Sequence, residues 1–123
     1  MVTRVFLVDD HAVLRSGLKM LLEDEGDLCV VGEAEDGESA IATAAAAQPH
    51  VLVLDITMPG LTGLDTIGEL IERNPSVRIV VLTMHDNPFL MKQALQRGAR
   101  AFVLKSSADR EIIQAIREVR AGR

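Results

Sequence analysis

Short runs of branched and apolar residues recur along the chain, at residues 5–8, 28–31, 51–54, 79–82 and 101–104. Four of the five lack polar alternation, the pattern of strands covered on both faces in a parallel sheet. The segments between them switch to helical spacing. Leu14, Leu18, Leu21 and Leu22 share one face of a first helix, Leu64, Ile67 and Ile71 one face of a third, and Ile112, Ile116 and Val119 one face of a fifth. An alanine-rich second helix is expected over residues 38–47 with Pro49 closing it, and Asn87-Pro88 opens a fourth. Ser106 with Asp109 three residues later predicts a capping box at the start of the fifth helix. Five strands alternating with five helices predict a doubly wound α/β domain with right-handed crossovers. The periodic pattern occupies residues 5–119, so residues 1–123 are read as one domain with no repeat and no second core.

Composition narrows the function more than the fold. Thirteen Lys and Arg against eighteen Asp and Glu leave a net charge of -5, too acidic for a surface that grips a phosphate backbone. The aromatic content is 2%, without Trp or Tyr, which disfavours base-stacking platforms and sugar clefts. A lone Cys29 allows neither an internal disulfide nor an all-cysteine metal site. No run approaches membrane-spanning length and no signal peptide opens the chain, so a cytoplasmic protein without membrane contact is expected.

In an open α/β sheet the functional crevice lies beyond the carboxyl ends of the strands. Asp9-Asp10 follow the first strand, Asp55 the third, Thr83 the fourth and Lys105 the fifth, whereas the second ends near Gly32-Glu33 with no comparable group. In a flavodoxin-like strand order of 2-1-3-4-5 the four contributing strands are contiguous. One charge at a strand end is commonly just where the chain meets water. Three carboxylates, a hydroxyl and an ammonium on one rim form a chemical set. Crowded carboxylates repel, and a hard divalent cation such as Mg²⁺ relieves that repulsion while keeping positions open for phosphate oxygens. Lys and Thr suit phosphoryl oxygens, and an aspartate can serve as the nucleophile, so the set suits phosphoryl transfer.

These residues resemble those of the response-regulator receiver domains of bacterial two-component signalling. The resemblance rests on Asp9-Asp10, the segment Asp55-Ile56-Thr57-Met58-Pro59-Gly60 with Gly63 after it, Thr83 and Lys105. Asp10-His11 with Arg15-Ser16-Gly17-Leu18, Val31-Gly32-Glu33-Ala34, Leu82-Thr83-Met84-His85 and Val119-Arg120-Ala121-Gly122 are similar to the NarL/FixJ subfamily, whose receiver precedes a DNA-binding helix-turn-helix. The resemblance implies that Asp55 accepts a phosphoryl group from a sensor histidine kinase. It implies that Asp10, Asp55 and the Thr57 backbone carbonyl hold Mg²⁺, with Asp9 acting through a bound water, and that Thr83 and Lys105 hold the phosphoryl oxygens. Thr83 and Phe102 become the switch pair, with Phe102 working through ring packing because it lacks a phenolic hydroxyl. A phosphorylation-dependent homodimer is implied, as is DNA binding only through a C-terminal domain missing from this chain. The resemblance also implies a signalling domain whose only chemistry is self-phosphorylation from small donors and self-dephosphorylation. One departure is Ser106 after the lysine, where many receivers carry Pro.

A stand-alone receiver acting by protein binding stays open. A haloacid-dehalogenase-type phosphatase also uses a strand-end aspartate with Mg²⁺, but needs a second acid where this chain has Thr57. His11, His50 and His85 lack zinc-site spacing; His11 and His85 are expected to shape access to Asp55. Cys29 is read as a small buried hydrophobe, and Gly60-Leu61-Thr62-Gly63 as a turn lacking the lysine of a P-loop.

Overall fold

The computed structural model describes residues 2–57 and 63–122. Its elements follow in the order β1 (Thr3–Val8), α1 (Ala12–Glu23), β2 (Leu28–Ala34), α2 (Gly37–Ala47), β3 (Val51–Asp55), α3 (Gly63–Arg73), β4 (Arg78–Thr83), α4 (Pro88–Gln96), β5 (Ala101–Leu104) and α5 (Ala108–Arg120). The strands form one parallel sheet, as the apolar runs predict, in the flavodoxin-like order β2-β1-β3-β4-β5. Residues of opposite parity feed opposite cores. Phe6, Val8, Leu52, Leu54, Ile79 and Val81 meet Ala40, Ala44, Ile67, Leu70 and Ala94 of α2, α3 and α4. Val5, Leu7, Val51, Val53, Val80, Leu82 and Val103 meet Leu18, Leu22, Ile112, Ile116 and Val119 of α1 and α5. Burial on both faces explains why these strands read as unbroken apolar runs.

Local chemistry sets the element ends. The Asn87 side chain accepts from the amides of Phe89 and Leu90 at 3.0 and 3.3 Å, so α4 starts where Asn-Pro places it. Asp36 caps α2 by accepting from Ser39 N at 2.7 Å, so the helix starts at Gly37, one residue ahead of the expected 38–47. At its far end Gln48 takes a left-handed conformation (φ 52°) that turns the chain out of the helix ahead of Pro49.

The predicted capping box on Ser106 does not form. β5 runs into a single 3-10 turn, Lys105–Ser107, and Ser107, at φ -114° and ψ 4°, precedes α5 without a side-chain cap. A capping hydroxyl needs extended backbone at that position, which the turn denies it. β2 also outruns the expected residues 28–31. It continues to Ala34 through an irregularity in which Val5 pairs with Val30 and Phe6 with Gly32, leaving Val31 as the extra residue. Gly32 has a steric reason: a Cβ there would sit 2.5 Å from the Phe6 ring. The expected turn at residues 60–63 falls almost wholly outside the described residues. Among the described residues no helix is long and apolar enough to cross a membrane.

Candidate functional site

Parallel register brings the strand ends level. Val8 pairs with Leu54, Leu54 with Val81 and Thr83 with Leu104, so the residues just beyond emerge on one rim. Asp55 is fully buried at the end of β3, and Asp9, just after β1, is only 2% exposed. Lys105, after β5, reaches across to both. Its Nζ lies 2.7 Å from Asp55 Oδ2 and 3.3 Å from either oxygen of Asp9. The other Asp55 oxygen, Oδ1, accepts from Thr57 N at 2.8 Å and Thr57 Oγ1 at 2.5 Å.

Asp9 is less well served. Oδ1 accepts the His11 amide at 2.8 Å, whereas Oδ2 is buried and accepts no hydrogen bond among the described residues, despite the nearby ammonium. Burial, reinforced by the Asp55 charge, raises the Asp9 pKa above its ordinary value; the His11 amide and Lys105 pull only partly the other way. Ionised Asp9 therefore costs the folded domain stability, a cost that grows as pH rises through and above 3.8.

Asp10 is exposed, with Oδ1 3.5 Å from His11 Nδ1. That same ring nitrogen lies 3.2 Å from Asp9 Oδ1 and 2.9 Å from Lys105 Nζ. Asp9, Asp10, His11 and Asp55 each offer one ligand atom within 4.8 Å of the others. An oxygen-rich cluster around an orphaned carboxylate oxygen fits a hard cation, so the residues present can hold a metal ion.

Thr83 is fully buried at the end of β4, and its hydroxyl oxygen accepts the His85 amide at 3.1 Å, which leaves the hydroxyl hydrogen to donate elsewhere. Phe102 stands opposite Val81 on β5, half-buried against the core under α2, α3 and α4. His50 lies at the opposite, amino end of the strands, where its amide donates to Arg4 O at 2.9 Å. Cys29 is half-buried in the edge strand β2. The segment carrying Met58, Pro59 and Gly60 lies outside the described residues.

His11, expected near Asp55, sits inside the acidic cluster in contact with Lys105. Two features escaped the sequence reading. Thr57 grips Asp55 with its side chain as well as its amide. Arg15 donates from Nη1 to the Asp9 carbonyl and from Nε to Glu33 Oε1 at 3.0 Å, so β2 does contribute to the rim at one remove. A cation in the opening turns of a helix, against the helix dipole, was the available signal for Arg15.

Residues 5–117 match the response regulator receiver domain family. The nitrate/nitrite response regulator protein NarL of Escherichia coli K12 is 38% identical over 118 residues, covering 96% of this chain and 55% of that protein. The chain thus spans about half the length of such a curated relative. A LuxR-family two-component response regulator from Aurantimonas sp. SI85-9A1 superposes with a TM-score of 0.94 at 34% identity, covering 100% of this chain and 88% of that one. The signal receiver domain of the putative response regulator NarL from Mycobacterium tuberculosis gives 0.92 at 37% identity, with 99% and 98% covered.

Proposed function

The chain belongs to the response regulator receiver domain family, within its NarL/FixJ subfamily, and on that premise we propose that it is a phosphoryl-accepting switch with Asp55 as the nucleophile. The observation that carries this reading is the Lys105 ammonium held 2.7 Å from buried Asp55, beside a carboxylate with an unbonded buried oxygen.

An Asp55 carboxylate oxygen attacks phosphorus. The new O–P bond forms as the P–N bond of a kinase phosphohistidine breaks, and the departing imidazole takes up a proton. With acetyl phosphate the leaving group is acetate. Lys105, 2.7 Å from Oδ2, orients the Asp55 carboxyl beforehand, then pairs with the phosphoryl oxygens. Thr57 fixes the Asp55 rotamer through its two bonds to Oδ1. Asp10, Asp55 and the Thr57 carbonyl, with Asp9 through water, would hold Mg²⁺. Bound there, Mg²⁺ supplies positive charge to the crowded carboxylates and to the transferring phosphoryl oxygens. Burial of Asp55 keeps bulk water from the acyl phosphate.

An acyl phosphate beside Thr83 offers new acceptors to its hydroxyl hydrogen, and movement of Thr83 vacates space into which Phe102 turns. The surface of α4, β5 and α5 changes with it, and a homodimer forms there. A sensor histidine kinase is the donor, the setting is the cytoplasm, and DNA is reached only through a C-terminal domain outside this chain. Thr57, in the place of a phosphatase's second acid, has both donors engaged on Asp55, which favours a switch over a turnover enzyme.

The test is incubation with acetyl phosphate and Mg²⁺ followed by intact-mass measurement. One phosphoryl group adds to the wild type and none to Asp55→Asn; equal labelling of both would sink the assignment. Light scattering with beryllofluoride and Mg²⁺ then checks the readout, since Thr83→Ala and Phe102→Ala should each self-associate less than the wild type.

A further inference from the structure

We infer that Arg15 is a positioning residue for the cation site, acting through the backbone of Asp9-Asp10; the inference rests on the phosphoryl-acceptor reading above. Asp10 is exposed, so packing does not hold its side chain, and its placement depends on the backbone either side of it. That backbone is pinned from several directions. The Asp9 amide donates to Ala34 O at 3.1 Å, the Asp9 carbonyl accepts from Arg15 Nη1, and the His11 amide donates to Asp9 Oδ1 at 2.8 Å. The Arg15 amide in turn donates to His11 O at 2.9 Å, so the guanidinium and the first turn of α1 grip the same loop, Asp9-Asp10-His11.

The guanidinium is itself fixed. Its Nε donates to Glu33 Oε1 at 3.0 Å from the edge strand β2, and Lys19 Nζ lies 3.6 Å from the other Glu33 oxygen. Arg15 is 19% exposed in its side chain, which limits the freedom it has to leave. A planar fork can serve a carbonyl and a carboxylate at once, whereas an ammonium on a flexible stem cannot hold both directions. The Asp9-Asp10 peptide is planar, so fixing its carbonyl toward Arg15 also sends the Asp10 amide the opposite way. Arg15 thereby sets the direction in which Asp10 leaves the strand without touching the cation. Groups that orient ligands in this manner change cation affinity by about tenfold or more.

The experiment measures Mg²⁺ affinity by calorimetry and acetyl phosphate labelling by intact mass across a Mg²⁺ series, for wild type, Arg15→Ala, Arg15→Lys and Glu33→Gln. Arg15→Ala should weaken Mg²⁺ binding about tenfold, yet recover wild-type labelling once Mg²⁺ is saturating. Arg15→Lys should fall between it and the wild type. Glu33→Gln, which keeps the shape and only loosens the guanidinium, should shift affinity the same way by a smaller factor, and it carries the test if Arg15→Ala does not fold. Wild-type affinity in both Arg15→Ala and Glu33→Gln would overturn the inference, as would labelling that saturating Mg²⁺ fails to restore. A wild type that neither binds Mg²⁺ nor takes the label would overturn the phosphoryl-acceptor reading instead.

Discussion

The two ends of the sheet are built on opposite terms. At the amino end Arg4, His50 and Arg78 are each matched by hydrogen-bond partners. Arg4 donates to the carbonyls of Ala47 and Gln48 at the end of α2, and Arg78 donates to those of Val119 and Arg120 at the end of α5, at 2.8 Å each. His50 ties the strands together, its amide donating to Arg4 O, its carbonyl accepting from Arg78 N and its Nδ1 accepting from Arg4 N at 3.0 Å. Cations at helix C-termini satisfy orphan carbonyls and complement the dipole. At the carboxyl end Asp9 and Asp55 share one ammonium with Asp10 close by, and Asp9 Oδ2 is buried without a hydrogen bond among the described residues. One end is arranged for stability, and the other gives up stability to keep a binding site ready.

Breaking the matched end should cost most. Arg78→Ala removes two charge-assisted bonds and leaves half-buried carbonyls at the end of α5; it should lower unfolding free energy by about 2 kcal/mol, read by urea denaturation. Faster amide exchange confined to the last turn of α5 would locate the loss.

Relieving the mismatched end should do the reverse. Asp9→Asn removes a carboxylate whose pKa burial and Asp55 have raised, while its side-chain oxygen can still accept the His11 amide. Without metal it should be more stable than the wild type by about 1 kcal/mol at neutral pH. A raised acid pKa means the folded state holds its proton longer, so the advantage should vanish as pH falls toward 3.8. Equal stability at neutral pH would show that the crowding carries no cost.

The smallest effect belongs to His50. Burial lowers its pKa below 6.5, with the Arg120 and Arg4 charges acting in the same direction, and its Nδ1 must stay unprotonated to accept the Arg4 amide. Its contribution is full above 6.5 and declines as pH falls below that value toward the lowered one. Melting curves across that window should show an acid-side loss in the wild type that His50→Gln lacks, and proton NMR of the ring should report the lowered titration.

The same contrast explains what the sequence could reveal. Strands buried on both faces announce themselves as apolar runs, and the polar residues that end them, Asp9, Asp55, Thr83 and Lys105, mark the rim by position alone. The extension of β2 was hidden because Gly32 and Glu33 interrupt the apolar run, although Gly32 is there to admit the Phe6 ring. Ser106 misled because a capping signature depends on backbone angles that the Lys105–Ser107 turn withholds. Long side chains were the least legible. Arg15, Arg78 and Arg4 act 6 to 44 residues away from their own positions, and no local pattern encodes that reach.

The most direct test of this contrast is the effect of Mg²⁺ on unfolding free energy at neutral pH, compared between wild type and Asp9→Asn. A cation that binds only the folded state stabilises it in proportion to the logarithm of its concentration over the dissociation constant. The wild type should gain stability with each increment of Mg²⁺ and overtake Asp9→Asn, which should gain much less. Stability of the wild type that does not change with Mg²⁺, or an equal gain in both proteins, would contradict the claim that the carboxyl end is held open for a cation.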